Sequence, residues 1–349
     1  MITMNDIALS LGVSKGTVSK ALAGAPDISE TTRNAIVARA VEMGYTRIRR
    51  GEFAPRLCVF VMHMDYHTSD DFGYDIINGF LQLAEPNGYH VDVIDLDEKT
   101  QMSTTYDEYM LANNYRGSFF LGINNSDPWI ASVKQCKTPT VLFDNPSYEN
   151  PFITYVGVDN FEAMRLSVGH LWSLGHRKIG YLSSGSPEAF VYQQRQIAFS
   201  HTMASFGVPD APVGMALLTS ECIQEQFPRL MALGCTAILC SHDLLAQAVL
   251  THCAELNIRI PNDLSVVGFD DIPLCSVTRP PLTTIRQDRV QLGKSSFYAL
   301  QSQMNHTPIG TLQLHATLVV RGSASNLRAG SDERKQEEGD NQTPPPAAS

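Results

Sequence analysis

Nowhere in the 349 residues is there a run of about 18 apolar side chains, and no apolar stretch precedes the first polar segment. Those two absences exclude a membrane-spanning helix and a signal peptide, so a protein that stays in the cytoplasm is expected. Cysteine is sparse and unpatterned: seven residues, an odd number, with no Cys-x-x-Cys spacing. Neither structural disulfides nor a zinc site are expected from such a set. Cys58, Cys240 and Cys253 stand in apolar runs, where cysteine behaves as a small hydrophobe. His63 and His67 have the spacing of a helical metal pair but leave a strand end, so no metal is expected. Also missing are a nucleophile elbow, a Gly-x-x-x-x-Gly-Lys phosphate loop and a Gly-x-Gly-x-x-Gly turn after a strand. No catalytic set emerges, and neither an enzyme nor a cofactor is expected.

What is present is ample core: 43% hydrophobic residues in a chain long enough for two or three domains. The net charge of −10 is unevenly spread. Residues 1–56 hold eight basic side chains against five acidic ones, a local charge of +3 that leaves −13 for the rest. A basic head on an acidic body suits docking to phosphate through the head alone.

The head itself reads as three short helices. Ile7, Ala8 and Leu11 share one face of the first, and Gly12 follows its last apolar position, where a residue able to take positive φ ends a helix. Ser14 caps the second, predicted from Lys15 to about Leu22, with Val18, Ala21 and Leu22 inward and Lys15, Gly16, Ser19 and Lys20 outward. Ser29 caps the third, Ile36, Ala40 and Met43 form its stripe, and Gly44 stops it before Tyr45. A capped helix presenting short polar and cationic side chains after a tight turn is the plan of a helix-turn-helix that reads the major groove.

Behind the head, apolar strand-like runs alternate with helix-like runs, the signature of parallel sheets flanked by helices. The expected strands are Leu57–Met62, His90–Asp95, Ser118–Gly122, Thr140–Phe143, Tyr155–Val158, Ile179–Ser183, Met215–Thr219, Ala237–Cys240, Val266–Phe269 and a late Leu312–Val320. The pattern restarts near Asp159, as in two tandem lobes whose strand ends face a common crevice. After Leu327 the chain is charged and then proline-rich, which predicts a disordered tail.

These features converge on a resemblance. The capped second helix with Thr17-Val18-Ser19, and the third helix ending in Gly44-Tyr45, resemble the headpiece of the LacI/GalR transcription regulators. The strings Val156-Gly157-Val158-Asp159-Asn160, Leu171–Ile179, Ser265–Asp271 and Pro280–Ile285 resemble that family's regulatory domain and occur in its order. The resemblance implies a small all-α helix-turn-helix headpiece plus a two-lobed α/β domain of periplasmic-binding-protein type, with two open parallel sheets. It places crossings between lobes near Val158–Asn160, Arg286–Asp288 and Val319–Arg321. The resulting division is residues 1–46 for the head, 47–56 for a basic linker, 57–327 for the effector-binding and dimerising body, and 328–349 for the tail. One departure stands out: relatives carry a short wedge helix in the link, whereas here Thr46–Pro55 is several residues short and lacks its motif, with Ile48 or Phe53 the only apolar candidates.

The expected partners are therefore operator DNA, a small sugar-like effector and a second copy of the chain, in a repressor of carbohydrate-uptake genes. The alternatives are a small-molecule binding protein without DNA function and, third, an α/β enzyme. Candidate DNA contacts are Thr3, Ser14, Lys15, Gly16, Thr17, Ser19 and Lys20, with Arg47, Arg49 and Arg50 of the link either phosphate contacts or part of a solvated linker. For the effector, the resemblance implies Arg195 as a fork onto ligand hydroxyls. It implies Phe72 and Tyr74 as covers of the apolar face, although aromatics there are also ordinary core. His242 stands where relatives commonly have asparagine, and imidazole replaces one amide hydrogen bond but not both; the alternative is a plain helix N-terminus with Asp243 acting by its charge. Asp270 follows the last strand of the second lobe, placed either to accept from two hydroxyls or to serve as a helix cap or crossover brace, a role open also to Asp271 beside it. Asp144 follows the fourth strand, as a first-lobe wall or a turn.

Overall fold

The computed structural model describes residues 2–45, 54–145, 150–187 and 189–327. Arg47, Arg49, Arg50, Ile48, Phe53 and the tail lie outside them.

The head folds as its capping residues dictate. Helix α1 (Met4–Leu11) opens with a reciprocal box: the Thr3 amide donates to the Asp6 carboxylate at 2.8 Å, and the Asp6 amide donates to the Thr3 hydroxyl at 3.4 Å. Gly12, at φ 65°, ends it in the left-handed region. Helix α2 (Lys15–Leu22) starts from Ser14, whose hydroxyl accepts from the Thr17 amide at 3.0 Å. Helix α3 (Glu30–Glu42) starts from Ser29 in the same way, at 3.2 Å from the Thr32 amide. Ile7, Val18, Ala21, Ile36 and Ala40 form the buried centre of the three.

Next come β1 (Arg56–Val61), α4 (Phe72–Ala84), β2 (His90–Asp95), α5 (Glu98–Ser103), α6 (Tyr106–Ala112), β3 (Tyr115–Leu121), α7 (Ile130–Lys134), β4 (Thr140–Phe143) and β5 (Ile153–Val158). A second set follows: α8 (Asn160–Ser173), β6 (Ile179–Ser184), α9 (Phe190–Ser205), β7 (Val213–Ala216), α10 (Thr219–Glu221), α11 (Phe227–Ala232), β8 (Ala237–Cys240), α12 (Asp243–Glu255), β9 (Ser265–Asp270) and β10 (Thr283–Arg286). The chain closes with α13 (Arg289–Met304), β11 (Thr311–Leu314) and β12 (Thr317–Val319).

By packing, the chain divides into two units, residues 1–157 with 288–314, and residues 158–287 with 315 onward. Each holds one six-stranded sheet, ordered β11-β5-β4-β3-β1-β2 in the first and β12-β10-β9-β8-β6-β7 in the second. From β2 to β5, and from β7 to β10, neighbours run parallel, while β12 pairs antiparallel with β10. Central strands such as Leu57–Val61 and Ala237–Cys240 are buried throughout, as strands covered by helices on both faces must be. In the first unit, α4 and α13 approach backbone to backbone. A Cβ on Gly79 would run into the Val290 carbonyl, and one on Gly293 into that of Ile76.

Several expectations need correction. The single late strand Leu312–Val320 is two strands, β11 in the first sheet and β12 in the second, with the chain passing between units at 314/315. The third crossing therefore precedes the expected Val319–Arg321, while the others fall at 157/158 and 287/288. Met215–Thr219 begins earlier and stops at Ala216, because the Leu218 amide donates to Glu221 and the chain turns into α10. The strand β10 was not anticipated, since its buried Thr283 and Thr284 do not read as an apolar run. Arg56, assigned to the linker, opens β1 and donates to Asp92 at 2.6 Å, which ties its charge to the body.

Candidate functional sites

On the head, α2 exposes Lys15, Gly16 and Lys20, with Thr17 and Ser19 half-buried. The Ser14 and Thr17 hydroxyls bond to each other at 2.9 Å, so both act first as parts of the cap. Thr3 is likewise the cap of α1. Lys20 reaches out of α2 to Asp27 in the turn before α3, at 2.5 Å, and this contact holds the Asp27 carboxyl below its ordinary pKa. Both partners are more than half exposed, so the pair is open to exchange with another anion.

In the second unit, three of the expected effector residues meet at the carboxyl edge of the sheet. Arg195 of α9 is only 4% exposed. Its guanidinium lies 3.7 Å over the Phe269 ring, donates at 2.6 Å to the Ser241 carbonyl and at 3.3 Å to Asn160, and stands 3.7 Å from Asp270. Asp270 ends β9 at φ 118° and Asp271 follows at φ 54°. Successive non-glycine residues in the left-handed region store backbone strain, which folds tolerate chiefly at functional sites. The two carboxylates divide the work. Asp271 accepts from Arg286 and Arg321, each at 2.6 Å, as the brace, while Asp270 accepts from Gln287 at 2.6 Å and stays 14% exposed.

His242 stands at a helix N-terminus, one of its two expected positions. It is the N-cap of α12: its Nδ1 accepts from the Leu245 amide at 3.2 Å, which leaves Nε2 to carry the proton and donate to Ser184 at 3.0 Å. Both ring nitrogens are thus occupied by the protein. Burial, reinforced by the Arg195 charge, pushes its pKa down to about 4, so the ring is neutral. Asp243 beside it is pushed the other way, up to about 7, by burial and then by the Asp270 charge. It accepts from Thr284 at 2.6 Å and from the Ile272 amide at 3.1 Å.

Sequence reasoning did not single out Asn160, Ser184, Ser241 or Gln287. Asn160 closes the Val156–Asn160 string, and that string was the one available signal. Two buried atoms here, Ser241 Oγ and Gln287 Oε1, have no hydrogen-bond partner among the described residues.

The first unit gathers its own set at its own sheet edge. Phe72 leads α4, with its ring 6.1 Å from Phe143 at the end of β4 and 5.9 Å from the Arg289 guanidinium, which donates to Asp75 at 2.8 Å. Asp144 follows at φ 52° and accepts from the Tyr155 hydroxyl at 3.5 Å. Tyr74 is half-buried on α4. No cluster of three or more potential metal ligands occurs among the described residues, and no helix there is long and apolar enough to cross a membrane.

Against known proteins, residues 3–47 match the bacterial regulatory proteins of the lacI family, and residues 168–324 match a periplasmic binding protein-like domain. The HTH-type transcriptional repressor CytR of Escherichia coli (strain K12) is 29% identical, over 93% of this chain and 97% of that protein. The HTH-type transcriptional regulator MalR of Streptomyces coelicolor is 31% identical, over 92% and 96%. Among solved structures, the lac repressor dimer bound to operator and the anti-inducer ONPF aligns with a TM-score of 0.65 at 23% identity, over 93% of this chain and 99% of that one. The complex of transcriptional regulator CelR with cellobiose aligns at 0.67 and 22%, over 93% and 100%.

Proposed function

Because this chain belongs to the LacI family of bacterial regulatory proteins, and is thus a DNA-binding transcription regulator rather than an enzyme, we propose that it is a cytoplasmic repressor of carbohydrate-uptake genes. It acts as a homodimer whose grip on a palindromic operator is set by a sugar-like effector. Helix α2 reads the major groove, with Lys15 and Lys20 as donors to guanine O6 and N7 and Gly16 leaving the readout thin between them. Thr3, Ser14, Thr17 and Ser19 meet phosphate or base edges, and Arg47, Arg49 and Arg50 of the link meet phosphate.

One observation carries the effector reading: a buried guanidinium stacked on Phe269 beside a partly exposed, strained carboxylate at the end of β9. Asp270 accepts from paired hydroxyls and Arg195 donates to their oxygens, a donor–acceptor pair suited to a polyol rim. The unpartnered Ser241 and Gln287 atoms add polar capacity beside it. His242 serves by fixing the edge of α12 rather than by direct contact. Phe72, Tyr74 and Asp144 offer the first unit's own ligand-facing groups. The relative CelR, seen with cellobiose, favours a sugar over other polyols.

The experiment is a thermal-shift screen of sugars against the full chain, followed by operator binding with and without each hit. An effector at 100 times its Kd stabilises by about 2.7 kcal/mol. A hit that raises the melting temperature and changes operator affinity supports the reading. A screen in which no sugar does either refutes it.

A further inference from the structure

The head does not stand clear of the first unit's body. Leu111, at the end of α6, is buried in the same apolar cluster as Ile7, Val18, Ile36 and Tyr45 of the head. Beside that contact lies a cavity of about 610 Å³, a size that suits a small metabolite. Val41, Gly44 and Tyr45 form its head wall. The body wall comes from α6, the first residues of β3, the turn before β4 and the end of α13.

Both cationic and apolar side chains line it. Arg116 and Lys137 both line it, and neither makes an ion pair among the described residues. The acid of the cavity, Asp107 of α6, is already engaged by the turn before β4, accepting from the Thr138 hydroxyl at 2.8 Å and the Lys137 amide at 3.3 Å. Lys137 also overhangs the exit of the head: its Nζ lies 3.0 Å from where a Cβ on Gly44 would stand. Tyr45 and Met110 supply the apolar surface. A planar fork and a compact ammonium together are the usual protein answer to a phosphate.

We propose that this cavity is a second ligand site, which takes a small organic phosphate on Arg116 and Lys137 with its carbon skeleton against Tyr45 and Met110. Because its walls come from both the head and the body, an occupant favours the docked head over a released one, by as much as its affinities for the two differ. The site is independent of the Arg195–Asp270 cluster. It gives the regulator an input that acts directly on the DNA-reading module.

The test is calorimetric titration of the full chain with ribose 5-phosphate and glycerol 3-phosphate, with ribose and glycerol as uncharged controls. At least one phosphate ester is expected to bind and the matching control not to bind at this site. The Arg116→Gln/Lys137→Gln double variant and the milder Lys137→Ala are each expected to weaken that binding tenfold or more. Arg195→Ala and Lys15→Ala leave it unchanged, and the bound ester slows hydrogen exchange across residues 2–45. Failure of both esters to bind at up to about 10 mM overturns the proposal. So does undiminished binding in the double variant, loss of binding in Lys15→Ala, or a double variant whose only defect is weaker, less salt-dependent DNA binding. That last outcome assigns the two cations to the DNA backbone.

Discussion

The head and the second unit present their candidate contact groups in opposite ways. On α2, Lys15 and Lys20 stand in solvent, and Lys20 is held only by an exposed pair with Asp27. At the edge of the second sheet, Arg195 is buried and His242 half-buried; Arg195 donates to the Ser241 carbonyl and to Asn160, while His242 caps α12 and donates to Ser184. A reader of DNA meets a partner whose charge is fixed and everywhere the same, so loosely tied surface cations suffice. A reader of a small neutral ligand has to place each donor and acceptor in advance, and that placement is achieved by burial. The comparison also predicts where substitutions hurt folding: at Arg195 in the second unit, and hardly at all at the exposed Lys15 and Lys20 of α2.

The sharpest break of that comparison is at Arg195 and Asp270. Losing a charged partner of buried ligand hydroxyls costs about 1.5–3 kcal/mol, so Arg195→Ala or Asp270→Ala is expected to weaken effector binding by about one to two orders of magnitude. Arg195→Ala also lowers the melting temperature, because the Ser241 carbonyl and Asn160 lose their donor. Calorimetric titration and thermal melts of both variants check this. Unchanged effector affinity in both moves the pocket elsewhere.

On the head, Lys20→Ala is expected to lower specific operator affinity by about 1–3 kcal/mol while non-specific affinity falls less. Its melting temperature stays close to that of the parent. Gel shifts on operator and on scrambled DNA separate the two affinities, and equal losses on both reduce Lys20 to a phosphate contact.

The difference between the two regions also explains what could be read from the sequence. Gly12, Ser14 and Ser29 act through their immediate neighbours, so α1, α2 and α3 were legible from spacing alone. The apolar strands followed from the same local logic. By contrast, β10 is buried through Thr283 and Thr284, whose hydrogen-bonding partners Arg321 and Asp243 lie far along the chain. The split between β11 and β12 depends on which sheet each joins, which no local pattern encodes. Arg195 was singled out through the family resemblance, and Asp270 through its place after the last strand of the second lobe. Their partners Asn160, Ser241 and Gln287 are ordinary polar residues until the fold gathers them.

His242 gives a smaller, pH-dependent effect. Its folded pKa of about 4 lies below the ordinary 6.5, so below pH 6.5 the unfolded chain takes up a proton that the native ring refuses. Its contribution to stability is complete above pH 6.5 and is lost on acidification toward pH 4, by about 1.4 kcal/mol per pH unit. Asp243 works in the opposite direction, since its raised pKa makes the native state bind a proton more readily as the pH falls through about 7. The comparison of His242→Asn with the parent removes that background. The parent's melting temperature is expected to fall relative to the variant's between pH 6.5 and 4.5, and parallel curves would refute the neutral ring.

The smallest expected effect is at Asp27. Releasing Lys20 from an exposed ion pair is worth about 0.2–1 kcal/mol, so Asp27→Asn is expected to tighten DNA binding by no more than about fivefold. The gain is larger at low salt. A loss of operator affinity in this variant would instead make Asp27 a contributor to the docked geometry of α2.

The central claim is that the α2 face and the Arg195–Asp270 cluster are two ends of one switch, and operator binding titrated with effector in Asp270→Asn tests it most directly. The variant is predicted to bind operator without effector as the parent does, and to require at least tenfold more effector for the same change in operator affinity. An effector response identical to the parent's would contradict the account.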